Sequence, residues 1–224
     1  MSKVLGVDAA AGEWLGVLLV EGVYANAELQ PTLAALLHLH PDATVVAVDI
    51  PIGLPHGRLR PADTEARRFV GGDRAPTVFP TPPSEVLAVE TYAAAIAVSQ
   101  SLLGKGVSVQ TFGLRGRILE AAGVAASDPR VVEVHPEVSF RALKGEPLRY
   151  SKHSWSGIAE RRALLASAGI LLPDDLPGGG RVASDDVVDA AVAAWSALRI
   201  SRGRGATLPA VASSDPTHGG VIHY

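Results

Sequence analysis

The chain has 224 residues, 47% of them hydrophobic and 19% charged, with a formal net charge of −3 and no cysteine. That balance describes a folded domain with a sizeable core; it excludes a disordered chain, a polycation that coats nucleic acid, disulfides, and zinc or nucleophile chemistry built on cysteine. No basic-then-apolar leader opens the sequence, and no apolar stretch approaches the roughly 20 residues of a membrane helix, so a cytoplasmic location without membrane contact is expected.

Residues 1–8 read as a buried strand, because Val4, Leu5 and Val7 form an apolar run that stops at a turn over 9–13. Residues 14–20 and 23–29 follow as strands, and links this short make the three an antiparallel meander. Pro31 is expected to open a helix that places Leu33, Leu36, Leu37 and His40 at helical spacing. Residues 44–50 return as a strand, halted by Pro51 and Pro55, and the helical crossover predicts that it lies parallel to the first. Further helices are expected over 61–70, 84–103, 110–123 and 157–168, and a strand over 130–135. A long helix over 185–199 is expected with Ser184 as its cap, then a short tail strand over 221–224. The glycine run 178–180 lacks both the preceding strand and the lysine of a phosphate loop.

The expected architecture is α/β in a single domain over 1–224. Its mixed sheet has an antiparallel first trio of strands and a parallel fourth and fifth, with helices on its faces. A helical insertion at about 51–128 precedes the fifth strand. This element order is similar to that of ribonuclease H-like domains.

Acidic residues punctuate these elements. Asp8 ends KVLGVD, Asp49 ends TVVAVD, Glu133 and Glu137 lie in RVVEVHPE, and Asp186 and Asp189 share one face of the helix that opens SDDVVDAAVAAW. A carboxylate at the end of a buried strand is costly unless a cation or a donor meets it. Hard oxygen ligands converging at the C-terminal edge of parallel strands therefore predict a site for Mg²⁺ or Mn²⁺. Asp8, Asp49, Glu133, Glu137, Asp186 and Asp189 are the candidate ligands, and Asp8, Asp49, Glu133 and Asp186 the candidate catalytic acids. Such a set suits two cations that activate a water and stabilise a leaving oxygen. Each acid also has a plainer reading: Asp185 and Asp186 as partners of a helix dipole, Asp49 and Asp8 as caps of the turns after them. His135 shares a strand face with Glu133 and is a candidate substrate contact, as an orienting or proton-carrying group, or else a histidine bonded to a loop carbonyl. Arg74, Arg141 and Lys152 are the candidate phosphate contacts, although many such basic residues only form a solvated face.

Six segments occur in a familiar order: GVDAAAGEW, VAVDIPIGLP, RPADTEARRFVGGDRAPTVFPTPP, EVHPEVSFRALKGEPLRYSK, GIAERRALL and SDDVVDAAVAAW. Together they resemble the family catalogued as domain of unknown function 429, described as predicted nucleases with a ribonuclease H-like fold. The resemblance implies a nuclease whose acids fall on Asp8, Asp49, Glu133, Glu137, Asp185, Asp186 and Asp189. It departs at AAAGEW, where members often carry a GCRGGW-like turn. The expected function is metal-dependent hydrolysis of phosphodiester bonds, with nucleic acid as partner; oligomeric state is not set. Two other readings stand beside it. One is an actin- or sugar-kinase-like phosphotransferase, although the chain has one copy of the unit and no glycine-rich DxG turn. The other is a binding module that keeps the fold without activity.

Overall fold

Lys3–Ala10 (β1), Glu13–Val20 (β2) and Val23–Gln30 (β3) form an antiparallel meander. Their links are the two-residue turns Ala11-Gly12 and Glu21-Gly22, with positive φ at both residues of each, the twist that tight hairpins favour. The computed structural model describes residues 1–176 and 179–224; Pro177 and Gly178, the first residue of the glycine run read above, lie outside them.

Leu33–Leu39 (α1) begins after Pro31 rather than at it, because Thr32 caps the helix by accepting from the Ala35 amide at 3.1 Å. Val45–Val48 (β4) then runs parallel to β1. The insertion that follows holds Pro61–Val70 (α2), a 3₁₀ turn at Gly72–Thr77, Ser84–Ala88 (α3), Tyr92–Leu103 (α4), Val109–Gly113 (α5) and Arg115–Ser127 (α6). Two of these boundaries correct the sequence reading. The helix expected over 84–103 breaks where Thr91 caps α4, and the one expected over 110–123 divides at Leu114 and runs on to Ser127.

Val131–Glu133 (β5) completes a sheet in the order β3-β2-β1-β4-β5, with β1, β4 and β5 parallel. Pro136–Lys144 (α7) was not expected as a helix. Its proline reads as a breaker, yet it occupies the first turn, where a missing N–H costs nothing, and His135 Nδ1 accepts from the Glu137 amide at 3.2 Å. Trp155–Ser167 (α8) and Ser184–Ser201 (α9) follow. Ser184 is helical rather than the cap, and Ala183 at the cap position makes no side-chain bond. Thr207–Leu208 (β6) and Ile222–His223 (β7) pair as a small second sheet, and His223 bridges Val134 beside β5.

Strand alternation divides the core in two. Val4, Val45 and Ala47 pack with α9, while Leu5, Val7, Val46, Val48 and Val131 pack with Leu33, Leu36, Ile118 and Ala121 of α1 and α6. The approach of α9 is set by Gly6. A Cβ there would stand 2.0 Å from the Ala194 amide nitrogen and 2.2 Å from the Ala190 carbonyl oxygen. Backbone therefore rests on backbone, and Ala190, Ala191, Ala193 and Ala194 are fully buried, as their run in the sequence predicts. Among the described residues, no helix is long and apolar enough to cross a membrane.

Candidate metal centre

Side chains alternate along a strand, so Asp8 shares its face of β1 with Val4 and Gly6, the face that α9 covers. Asp49 follows β4 in phase with Val45 and Ala47, and its amide donates to the Val7 carbonyl at 2.8 Å, which extends the β1–β4 ladder to the two acids. On α9, Asp189 directly precedes the Ala190 that touches Gly6. The glycine contact thus lowers a helical carboxylate onto two strand carboxylates. One oxygen from each of Asp8, Asp49 and Asp189 lies within 4.8 Å of the others.

The electrostatics follow from this crowding. Burial, then Asp49 and Asp189, hold the Asp8 carboxyl well above its ordinary range. Burial, then Asp189, does the same for Asp49. Asp189 is pushed up to about 6 by burial, against the pull of Lys152. Asp186, one turn earlier, is half-buried and raised by burial and by Asp185. The group is short of positive charge. Lys152 Nζ, 2.5 Å from Asp189 Oδ2, is the cation in direct contact with it, and Asp189 Oδ1 is buried without a hydrogen-bond partner. Burial opposes the charge of Lys152, but Asp189, Asp49 and Asp8 outweigh it and hold the lysine protonated. Oxygen ligands with raised affinity for positive charge and one orphaned oxygen fit a hard divalent cation.

Asp8, Asp49 and Asp186 line a cavity of about 200 Å³ together with His135, Lys152 and Arg60. Asp49 and Asp189 line an adjoining cavity of about 320 Å³ with Glu137, Arg74, His135 and Lys152. The expected set therefore separates. Asp8, Asp49 and Asp189 form the cluster, with Asp186 at its mouth. Glu137 stands on the second cavity with Oε1 paired to Arg161 and Oε2 buried without a partner.

Glu133 lines the first cavity and its charge helps to raise Asp49, but it stands outside the triad. It pairs in register with Val48, not Ala47, which puts it on the opposite face of the sheet. There Arg60 clamps it with two bonds of 2.6 and 2.7 Å, and the Ile52 amide donates at 2.7 Å. Arg60 also binds Asp63, whose carboxylate accepts from the Thr81 amide at 2.6 Å. Burial works against the Arg60 charge, but Glu133 and Asp63 overcome it.

His135 is pushed down to about 4 by burial and by the nearby charges of Lys152 and Arg60, so it is a neutral imidazole at pH 7. Arg141 lays its guanidinium over the Phe69 ring at 5.5 Å, an anchoring contact rather than one with the acids. Arg60, Asp63 and Arg161 were missed as candidates. Arg60 and Asp63 left a signal, an Arg-Pro-x-Asp stretch that places opposite charges three residues apart at a helix start; Arg161, in mid-helix 24 residues after its partner, left none.

The family model described as "Protein of unknown function (DUF429)" matches residues 6–214, and the chain belongs to that family. No curated protein and no solved structure matches the chain.

Proposed function

We propose that this family member is a divalent-metal-dependent nuclease of ribonuclease H-like architecture, which hydrolyses phosphodiester bonds at Asp8, Asp49 and Asp189. The observation that carries the reading is the convergence of three carboxylates from two parallel strands and one helix, within 4.8 Å, with far less positive charge than they need. The strand order β3-β2-β1-β4-β5, with its acids at the C-terminal ends of β1 and β4, supports the architecture. Mg²⁺ or Mn²⁺ at the three acids, with Asp186 alongside, would supply Lewis acidity and neutralise the charge of an incoming phosphate.

The residues around the acids fit a phosphate ester. Arg74 and Lys152 line the second cavity and provide the donors that phosphate oxygens require. Neutral His135 borders both cavities and presents a polar group that adds no charge. In hydrolysis a water loses one proton as its oxygen bonds to phosphorus, the P–O bond to the leaving nucleoside breaks, and the leaving oxygen takes up a proton, so that one water is consumed per bond cut.

The experiment is to incubate the chain with labelled single- and double-stranded DNA and RNA, with Mg²⁺, Mn²⁺ or a chelator. Cleavage is expected with either metal and none with the chelator or with Asp49→Asn. ATP turnover without strand cleavage would refute the reading in favour of a phosphotransferase.

A further inference from the structure

Lys152 Nζ lies 2.5 Å from Asp189 Oδ2 and 3.7 Å from Asp185 Oδ2, and it borders both cavities of the acid centre. Asp189 divides its oxygens: Oδ2 meets the ammonium while Oδ1 is buried and unpartnered. Glu137, on the same cavity, also keeps one buried oxygen unpartnered. The lysine does not reach this place from a loose loop. The Ser151 carbonyl accepts from the Ser154 amide at 3.0 Å and from Ser154 Oγ at 2.7 Å. A Cβ on Gly157 would stand 1.8 Å from that same carbonyl, so the segment before α8 is pressed onto the helix backbone. Arg161, which pairs with Glu137, also donates to the Tyr150 carbonyl at 3.2 Å. Tyr150 and Ser151, the two residues that precede Lys152, are thereby tied to α8.

We propose that the Lys152 ammonium is the second cation of this centre, so that the triad takes a single divalent ion and the lysine stands where a two-metal site would carry the other. The inference rests on the metal-dependent reading and specifies its stoichiometry. Paired ions in such sites sit about 3.5–4 Å apart and share carboxylates. An ammonium at hydrogen-bond distance from Asp189 Oδ2 denies that oxygen to a second ion and repels any ion beside it. Asp189 Oδ1, buried and without a partner, is left for the first ion, and Asp8 and Asp49 each bring an oxygen within 4.8 Å of one of the Asp189 oxygens. The ammonium also differs from a metal in kind: it offers donors only and has no open coordination position.

The test counts Mn²⁺ bound per chain, by calorimetric titration and by the paramagnetic resonance of unbound ion, on wild type, Lys152→Met and Lys152→Arg. Wild type and Lys152→Arg are expected to bind one ion, and Lys152→Met two. Should Lys152→Met not fold, Lys152→Gln carries the same count. Two ions on the wild type overturn the inference whatever the variants do, as does a single ion on a folded Lys152→Met or Lys152→Gln. A wild type that binds no Mn²⁺ removes the metal-dependent reading itself, a result distinct from either of those.

Discussion

Two acidic clusters border one cavity at the same edge of the sheet, rooted on opposite faces, and they differ in how their charge is met. On the α1 face, Glu133 and Asp63 share one buried arginine and collect further bonds from the Ile52 and Thr81 amides. On the α9 face, Asp8, Asp49 and Asp189 crowd together with one lysine, and all three carboxyls are raised. The first cluster is met by its own arginine and amides; the second has one lysine and a buried oxygen, Asp189 Oδ1, without a partner. Burial and acidity are common to both, so neither marks a ligand site. What separates them is the shortfall of partners.

That contrast predicts different responses to substitution. Arg60→Met leaves two buried carboxylates uncompensated, and a loss of about 3–5 kcal/mol is expected by urea denaturation. A loss below about 1 kcal/mol would mean that the α1-face cluster is not an ion network at all. Gly6→Ala drives a methyl into the α9 backbone and is expected to cost about 1–3 kcal/mol while weakening Mn²⁺ binding. If the protein is destabilised and the metal affinity is unchanged, the seating of α9 does not set the triad.

Acidity should sharpen the same contrast. The Asp189 carboxyl is raised by burial from 3.8 to about 6, so the folded chain holds a proton that the unfolded chain has released. Its contribution therefore favours folding at low pH and is lost as pH rises from near 4 through about 6, on the order of 1–2 kcal/mol in metal-free protein. Mn²⁺ affinity should climb over the same window, since metal and proton compete for the carboxylates. Melting temperatures taken across that range, with chelator and with Mn²⁺, read both trends, and parallel curves would contradict the competition. The smallest effect is expected from Asp49→Asn. It relieves repulsion and should raise metal-free stability by up to about 1 kcal/mol while abolishing the melting response to Mn²⁺. A metal response equal to that of wild type would exclude Asp49 as a ligand.

Asp8 and Asp49 were legible in the sequence because each closes an apolar run, and such runs reveal both strand and edge. The run of alanines after Asp189 similarly revealed a helix pressed against the sheet. Glu133 closes the same kind of run but stands one residue out of phase, and phase between neighbouring parallel strands is set by pairing that no local pattern encodes. The break before α4 did leave a trace, since Thr91 is a good cap, but the alanine content on either side masked it. The Lys152–Asp189 contact joins residues 37 apart through a turn whose path depends on α8, so lysine as a phosphate contact was as far as composition could lead.

The triad also orders events in time. Asp8 and Asp49 leave the ribosome early, whereas Asp189 follows 140 residues after Asp49 (189 − 49), on the order of ten seconds at ordinary rates of synthesis. Until α9 emerges, Gly6 has no helix against it and one face of β1 and β4 lies bare. A half-made chain therefore owns two acids and no centre. The cluster of Asp8, Asp49 and Asp189 can assemble only after α9 has been made.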